Sequence, residues 1–159
     1  MSILKVDTIN EKTSGNGVQI AGHVVQVVRN SITGTVATSS TSYVASGLGL
    51  TITPKFSTSK LFISVNVGRP SIQNNGRQLD FKLYEGSSAV DSNRLGSLYH
   101  NAGSGVAIYY GSTSYNIYLD ASNTNARTYN LYYKAFGGSV NISDSSDIES
   151  AMIVMEIAQ

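Results

Sequence analysis

The chain has no cysteine and no tryptophan, and only two of its 159 residues are proline. Without cysteine there can be no disulfide, no thiol nucleophile and no cysteine-ligated zinc, and the redox state of the surroundings does not matter to the chain. Charged residues make up only 13%, about half the usual fraction. The net charge is +1 and the cations are scattered, so no basic stripe favours nucleic-acid binding.

Long apolar runs are also missing. The N-terminus does not combine a charged segment with a long apolar one, and the best apolar run near the C-terminus is interrupted by Glu156. We therefore expect no signal peptide and no membrane span, and synthesis in a cytoplasm.

Serine, threonine, asparagine and glycine together make up 64 of the 159 residues, which is typical of turns and hydroxyl-bearing strands rather than helices. Apolar and polar residues alternate from Leu61 to Val67, from Leu79 to Glu85 and from Arg127 to Phe136, a period that indicates strands with one wet face. Turn signals separate these segments. The pattern predicts an all-β antiparallel sandwich or barrel of about ten strands after residue 22.

Two predicted strands, His23–Asn30 and Ala151–Ile157, are apolar on both faces, so something must cover the second face. Loops of the same chain could cover it, or neighbouring subunits could. A cyclic trimer gives each chain two neighbours, and we predict a homotrimer on this basis. The candidate interface residues are Val25, Val27, Met152, Val154 and Glu156.

A series of short motifs runs along the chain. The first are Leu4–Ile9, Ser14–Ile20 and His23–Val28. The later ones are Lys60–Ile63, Phe81–Gly86, Leu119–Asp120 before Asn123–Thr124, Thr128–Leu131 and Val154–Ala158. The series shows a resemblance to virion structural and tail-fibre-like proteins of marine bacteriophages. It implies a jelly-roll head at residues 23–159 that forms trimers in a virion. It also implies that residues 1–22 form a short extended segment for oligomerisation or for attachment to other virion proteins.

Catalytic chemistry finds little support. Gly103-Ser104-Gly105 lacks the spacing of a nucleophile elbow, and the acids Asp144, Asp147 and Glu149 lie on a serine-rich loop, where carboxylates are usually solvated. His23 begins an apolar strand and is more typical of a structural histidine than of a metal ligand. We expect no enzyme activity, no metal and no cofactor.

The leading functional prediction is a non-enzymatic virion protein that also contacts the host surface, through a glycan or a protein. A purely architectural capsid or neck decoration protein and a carbohydrate-binding module remain as alternatives. Strand parity predicts that the loop with Tyr99, His100 and Asn101 lies beside Asn123 and Asn125, at the end far from residues 1–22. These five residues are the receptor-contact candidates, since amide, imidazole and phenol groups suit sugars. Tyr84, Tyr118 and Tyr132 fall on polar faces, outside the predicted core.

Overall fold

The computed structural model describes residues 7–10, 15, 17–73, 78–91, 93–100, 109–143 and 145–159. Within these ranges every regular element is a β-strand. In chain order the strands are β1 (Val24–Ile32), β2 (Val36–Thr38), β3 (Val44–Ile52), β4 (Lys60–Val67), β5 (Ser71–Gln73), β6 (Gln78–Glu85), β7 (Ser88–Ala89), β8 (Gly96–Tyr99), β9 (Tyr109–Tyr110), β10 (Thr113–Asp120), β11 (Arg127–Ala135), β12 (Ser139–Ser143) and β13 (Ser150–Ile157).

The long strands form two antiparallel sheets. Sheet one has the order β1-β13-β4-β10, and sheet two has the order β3-β11-β6-β7, with β8 also paired to β6. Along the chain the long strands alternate between the sheets, while the first and last strands are neighbours in sheet one. Since β7 and β8 pair with different parts of the same edge of β6, four strand positions face four, and this order is that of a jelly roll. The predicted antiparallel jelly-roll sandwich is therefore confirmed.

A small third sheet extends sheet one. Its order is β2-β12-β5-β9, and each of its strands is the sequence neighbour of the strand that holds the same position in sheet one. Residues 33–35, 68–70 and 111–112 connect three of these pairs at a bend. Gly34 has a φ of 84° at this bend, where a residue with a side chain would be strained.

The core lies between sheets one and two and follows the predicted alternation. On β4, Leu61, Ile63 and Val65 are buried, and on β6 the same holds for Leu79, Phe81 and Leu83. β11 contributes Tyr129, Leu131 and Tyr133, and its two inward tyrosines are the largest fully buried side chains of the described residues. Burial raises the pKa of both tyrosines, because it penalises the phenolate.

The two sides of the sandwich differ. Between β1 and β3 the sheets are tied by Asn30 Nδ2, which donates to Gly49 O at 2.7 Å, and by Gln26 Nε2, which donates to Thr53 O at 2.7 Å. On the other side, the ring of Tyr115 lies against Gly96 and 5.6 Å from the Phe81 ring. Beyond Tyr115 a cleft of about 370 Å³ separates β10 from residues 90–95.

The strand directions define two ends of the sandwich. The chain-end pole carries residues 53–59, 86–95 and 121–126, together with both ends of the folded head. The preceding segment is bound there, because Gly22 N donates to Ala158 O at 2.8 Å and Gln19 Nε2 donates to Thr58 Oγ1 at 3.0 Å. The opposite pole carries the small sheet and residues 136–138. The predicted boundary between residues 22 and 23 stays a prediction.

Gly49→Ala tests the close packing of β3 on β11. A Cβ at this position would lie 2.1 Å from Asn130 Oδ1 and 2.7 Å from the backbone Tyr129 O, so the two strands would have to move apart. We expect a loss of about 1–3 kcal/mol in unfolding free energy, measured by denaturant titration. The control Ser97→Ala, on exposed β8, should change it by less than about 0.5 kcal/mol. Equal stabilities for the two variants would contradict this packing.

Candidate functional site

The candidate interface residues of β13 lie inside the chain. Met152, Val154 and Glu156 are each 0% exposed, because they point from sheet one toward sheet two. Their prediction as a trimer interface is therefore wrong in this respect, since sheet two already covers them. On β1, Val25 is half-buried beside a bulge, whereas Val27 is 56% exposed. Of the five candidates, Val27 is the one that the head leaves largely accessible.

Glu156 has an internal role. Its carboxylate accepts hydrogen bonds from Lys55 N and Phe56 N, each at 2.9 Å, and from Gln26 Nε2 at 2.6 Å. Burial raises the pKa of this carboxyl, but the hydrogen bonds from Lys55, Gln26 and Phe56 outweigh burial and hold the pKa below its ordinary value. The charged side chain thus anchors residues 53–59 to the end of β13.

The outer side of sheet one carries a row of apolar residues. Val27, Met155, Phe62 and Tyr118 lie opposite one another on β1, β13, β4 and β10, and form a row across the whole sheet. Tyr118, at the far end of this row, is 54% exposed. We call the surface the apolar face and define it by residues that share this side of the sheet: Val24, Val27, Phe62, Tyr118, Ile153, Met155 and Ile157.

Ion pairs lie at the margins of the apolar face. Arg29 Nη2 lies 2.5 Å from Glu149 Oε1, and Lys60 pairs with Asp120 at the other margin. Hydrogen bonds from Ser31 and Arg29 hold the pKa of Glu149 below its ordinary value. The row of Val27 and Tyr118 between these pairs carries no charge, which is the usual distribution in a protein interface with an apolar centre and a polar rim.

The receptor-contact candidates do not come together. Tyr99 pairs with Gln78 at the opposite pole, and His100 follows it, whereas Asn123 and Asn125 lie in the connection after β10 at the chain-end pole. Asn101 lies outside the described residues. The predicted adjacency is wrong because β8 is a strand antiparallel to β6, which carries the chain from the chain-end pole to Tyr99 at the opposite pole, where the prediction had a single loop. Counting β2, which continues the direction of β1, as a return reversed the predicted direction of β10 and β11 and so placed Asn123 and Asn125 at the wrong pole.

The outer residues of sheet one were missed by sequence reasoning. In β13, the odd-numbered Ile153 and Met155 are as apolar as their even-numbered neighbours, so alternation could not say which set faces the core. The exposed Tyr118 did carry a signal, because it interrupts the polar side of an otherwise alternating strand.

The described residues show neither a metal site nor a membrane-spanning helix. The described residues hold no group of three or more histidines, cysteines or acids placed to bind a metal ion. Nor do they include a helix with the length and hydrophobicity needed to cross a membrane. The expected absence of enzyme activity stays a prediction.

Comparison with known proteins gives only distant likenesses: no family model and no curated protein matches the chain. The chain is similar to one in the structure of the infectious bursal disease virus Gx strain, with 17% identity and a TM-score of 0.42, over 97% of this chain and 38% of that one. For the Gt strain the identity is 13% and the TM-score 0.38, over 98% and 42%. The chain thus spans about two fifths of those chains. These scores are low, and the fold assignment rests on strand order.

Glu156→Gln tests the internal role of this carboxylate. The amide cannot accept as many hydrogen bonds as the carboxylate, so we expect a loss of roughly 1–3 kcal/mol near neutral pH, measured by thermal or urea unfolding. Because the folded pKa is depressed, the carboxylate stabilises the fold above its unfolded pKa and ceases to do so as pH falls through the folded pKa. The difference between native protein and variant should therefore shrink in acid. A difference that grew in acid would contradict the assignment.

Proposed function

We propose that this chain is a non-enzymatic structural protein of a bacteriophage particle, of the tail-fibre or spike head type, that assembles as a homotrimer and contacts the host surface. The resemblance of its sequence segments to phage virion proteins supports the class. The jelly roll fits it, because this architecture recurs in viral capsid and lectin domains. Since a fold alone does not imply a function, the proposal depends on the surface described next.

The observation that carries the proposal is the apolar face. The outer side of four strands about eight residues long covers roughly 500 Å² at the usual strand spacing and rise, and the apolar face takes up about half of it. A contiguous apolar patch of a few hundred Å² on a soluble chain often marks an interaction site. Such a patch would supply the apolar centre of the roughly 800 Å² that each partner contributes to a standard interface, and the polar residues around it would supply the rim.

A three-fold axis in front of sheet one suits this face. Its two margins differ, with Val27 on β1 at one side and Tyr118 on β10 at the other. In a closed ring, the β1 side of one subunit meets the β10 side of the next, so every subunit makes the same contact twice. The uncharged row from Val27 to Tyr118 is then removed from water in all three subunits.

Residues 1–22 are proposed to attach the trimer to other virion proteins. The contacts of Gln19 and Gly22 hold residues 19–22 at the chain-end pole, so attachment there turns the opposite pole away from the particle. Tyr99 is 63% exposed and lies toward that pole with His100. Tyr99, His100 and Asn101 therefore remain the proposed host contact, while Asn123 and Asn125 would lie on the attachment side.

Imaging of labelled copies on intact particles tests the class and the placement. We expect label at a tail, fibre or spike, with residues 1–22 toward the particle, and loss of the label when this segment is deleted from a still-folded head. Label spread evenly over the shell would instead support the architectural alternative, a capsid decoration protein. A chain absent from purified particles would contradict the proposal and favour a carbohydrate-binding module.

Val27→Asp tests the trimer. The native protein should have a mass near 51 kDa by light scattering, three times the 16.9 kDa of one chain. Aspartate on the apolar face would place an unpaired charge in the interface, where it costs several kcal/mol, so the mass should fall to that of one chain. Because Val27 is largely exposed in the head alone, the variant should keep its β-sheet circular dichroism.

Thr51→Asp is the matched control, since Thr51 is an exposed residue of β3 in sheet two. This variant should keep the mass of the native protein. A native protein that stayed monomeric at micromolar concentration would overturn the trimer. Equal masses for Val27→Asp and the native protein would overturn the proposed interface.

A further inference from the structure

A buried carboxylate lies on the outer side of sheet two. Asp80 is on β6 between the inward residues Leu79 and Phe81, so it points away from the core, yet it is only 3% exposed. Gln78 Nε2 donates to its Oδ1 at 2.6 Å. Arg94 Nη1 lies 3.2 Å from Oδ1, and Lys134 Nζ lies 3.8 Å from Oδ2. Asp80 thus holds two cations in place at the surface of the sheet.

Tyrosine rings lie beside the cations of this surface. Lys134 Nζ lies 4.8 Å from the centroid of the Tyr43 ring, and Lys82 Nζ lies 5.5 Å from the same centroid. Beside them, the rings of Tyr84 and Tyr132 pack with their centroids 4.1 Å apart and their planes tilted by 32°. These five residues, with Arg94, form what we call the tyrosine–lysine face.

The register of sheet two makes this face continuous. Lys134 lies opposite Asp80, Tyr132 opposite Lys82, and Tyr84 one step further along β6. Packed strands hold the backbone of Lys82, Tyr84, Tyr132 and Lys134 in place, and the ion pair with Asp80 holds Arg94 beside them. A preorganised surface loses less entropy on binding than a mobile loop does.

The charge on the face favours an anion. The face carries three cations, on Lys82, Arg94 and Lys134. Two carboxylates lie near them: Asp80 is buried beneath the cations, and Asp91 lies at the rim of the adjacent cleft. One positive charge is in excess, and the cations reach solvent while Asp80 does not. The Arg94 side chain is 53% exposed and meets Asp80 through Nη1, so its outer edge can still bind a carboxylate.

We propose that the tyrosine–lysine face binds an acidic saccharide, a sugar chain that carries uronic acid carboxylates. The tyrosine rings offer flat apolar surface for the C–H faces of the sugar, and their hydroxyls offer hydrogen bonds. Arg94, Lys82 and Lys134 pair with the carboxylates. A nucleic acid or polyphosphate fits less well, since a single excess charge on a short face cannot neutralise a run of phosphates.

This proposal rests on the proposed function, in which the chain contacts the host surface. It adds the class of ligand and the surface that binds it. Sheet two faces away from the proposed three-fold axis, so the face stays accessible in the trimer. Binding by the isolated protein can be measured whatever its oligomeric state, so failure here would leave the test of the trimer intact.

The test is calorimetric titration of the full chain with a galacturonic acid trisaccharide, with a galactose trisaccharide as the neutral match. We expect the acidic sugar to bind at least about tenfold more tightly, and added salt from about 50 mM to about 500 mM to weaken it several-fold. Equal binding of both sugars, or no binding of either, would overturn the proposal.

Paired variants assign the site. Lys82→Met should weaken binding of the acidic sugar about fivefold and reduce its salt dependence, whereas Lys82→Arg should retain it. Tyr84→Ala should weaken binding by about fivefold, and Tyr84→Phe, which keeps the ring, by much less. Lys55→Met, at the chain-end pole, is the control and should bind as the native protein does. Native affinity in both Lys82→Met and Tyr84→Ala would show that the sugar binds elsewhere.

Discussion

The insertion of the last strand between the first and the third long strands is the constraint on which the rest of this structure depends. β13 pairs along its whole length with β1 on one side and β4 on the other, so sheet one is incomplete until the C-terminal residues arrive. One side of β13 then closes the core with Met152 and Val154. Glu156 on the same side holds residues 53–59 by accepting hydrogen bonds from Lys55 N and Phe56 N. Such long-range pairing favours slow folding.

The two sheets give the molecule two unlike outer surfaces. The far side of sheet one carries the apolar face, which is bounded by ion pairs and is suited to contact another protein chain. The far side of sheet two is polar, aromatic and cationic, and its charges are organised from beneath by Asp80. A subunit that buries the first surface in a ring presents the second one outward. Assembly and ligand binding can therefore occupy one small domain without competing for the same residues.

The sequence predicted the sheet architecture well where alternation was clean. Leu79, Phe81 and Leu83 on β6, and Tyr129 and Tyr133 on β11, fell inward as predicted, because one wet face leaves only one choice. In β13 both sets of residues are apolar, so periodicity could not separate core from surface. The partners of Glu156 are about a hundred residues away in the sequence, and no local pattern reveals them. The short β2 was taken for a returning strand and β8 for part of a loop, and these two errors together brought the predicted receptor contacts to one pole.

In the proposed trimer, sheet one faces the other copies of the chain while sheet two faces outward. Because the chain has no cysteine, a spin label can be placed on one introduced thiol at a time, and distances between labels on different subunits can then be measured by pulsed electron resonance. Met155→Cys marks the apolar face, and Ser97→Cys marks the outer side of sheet two. We expect distinctly shorter distances between subunits for the Met155→Cys label than for the Ser97→Cys label. Shorter distances for the Ser97→Cys label, or no dipolar coupling at either position, would contradict this arrangement.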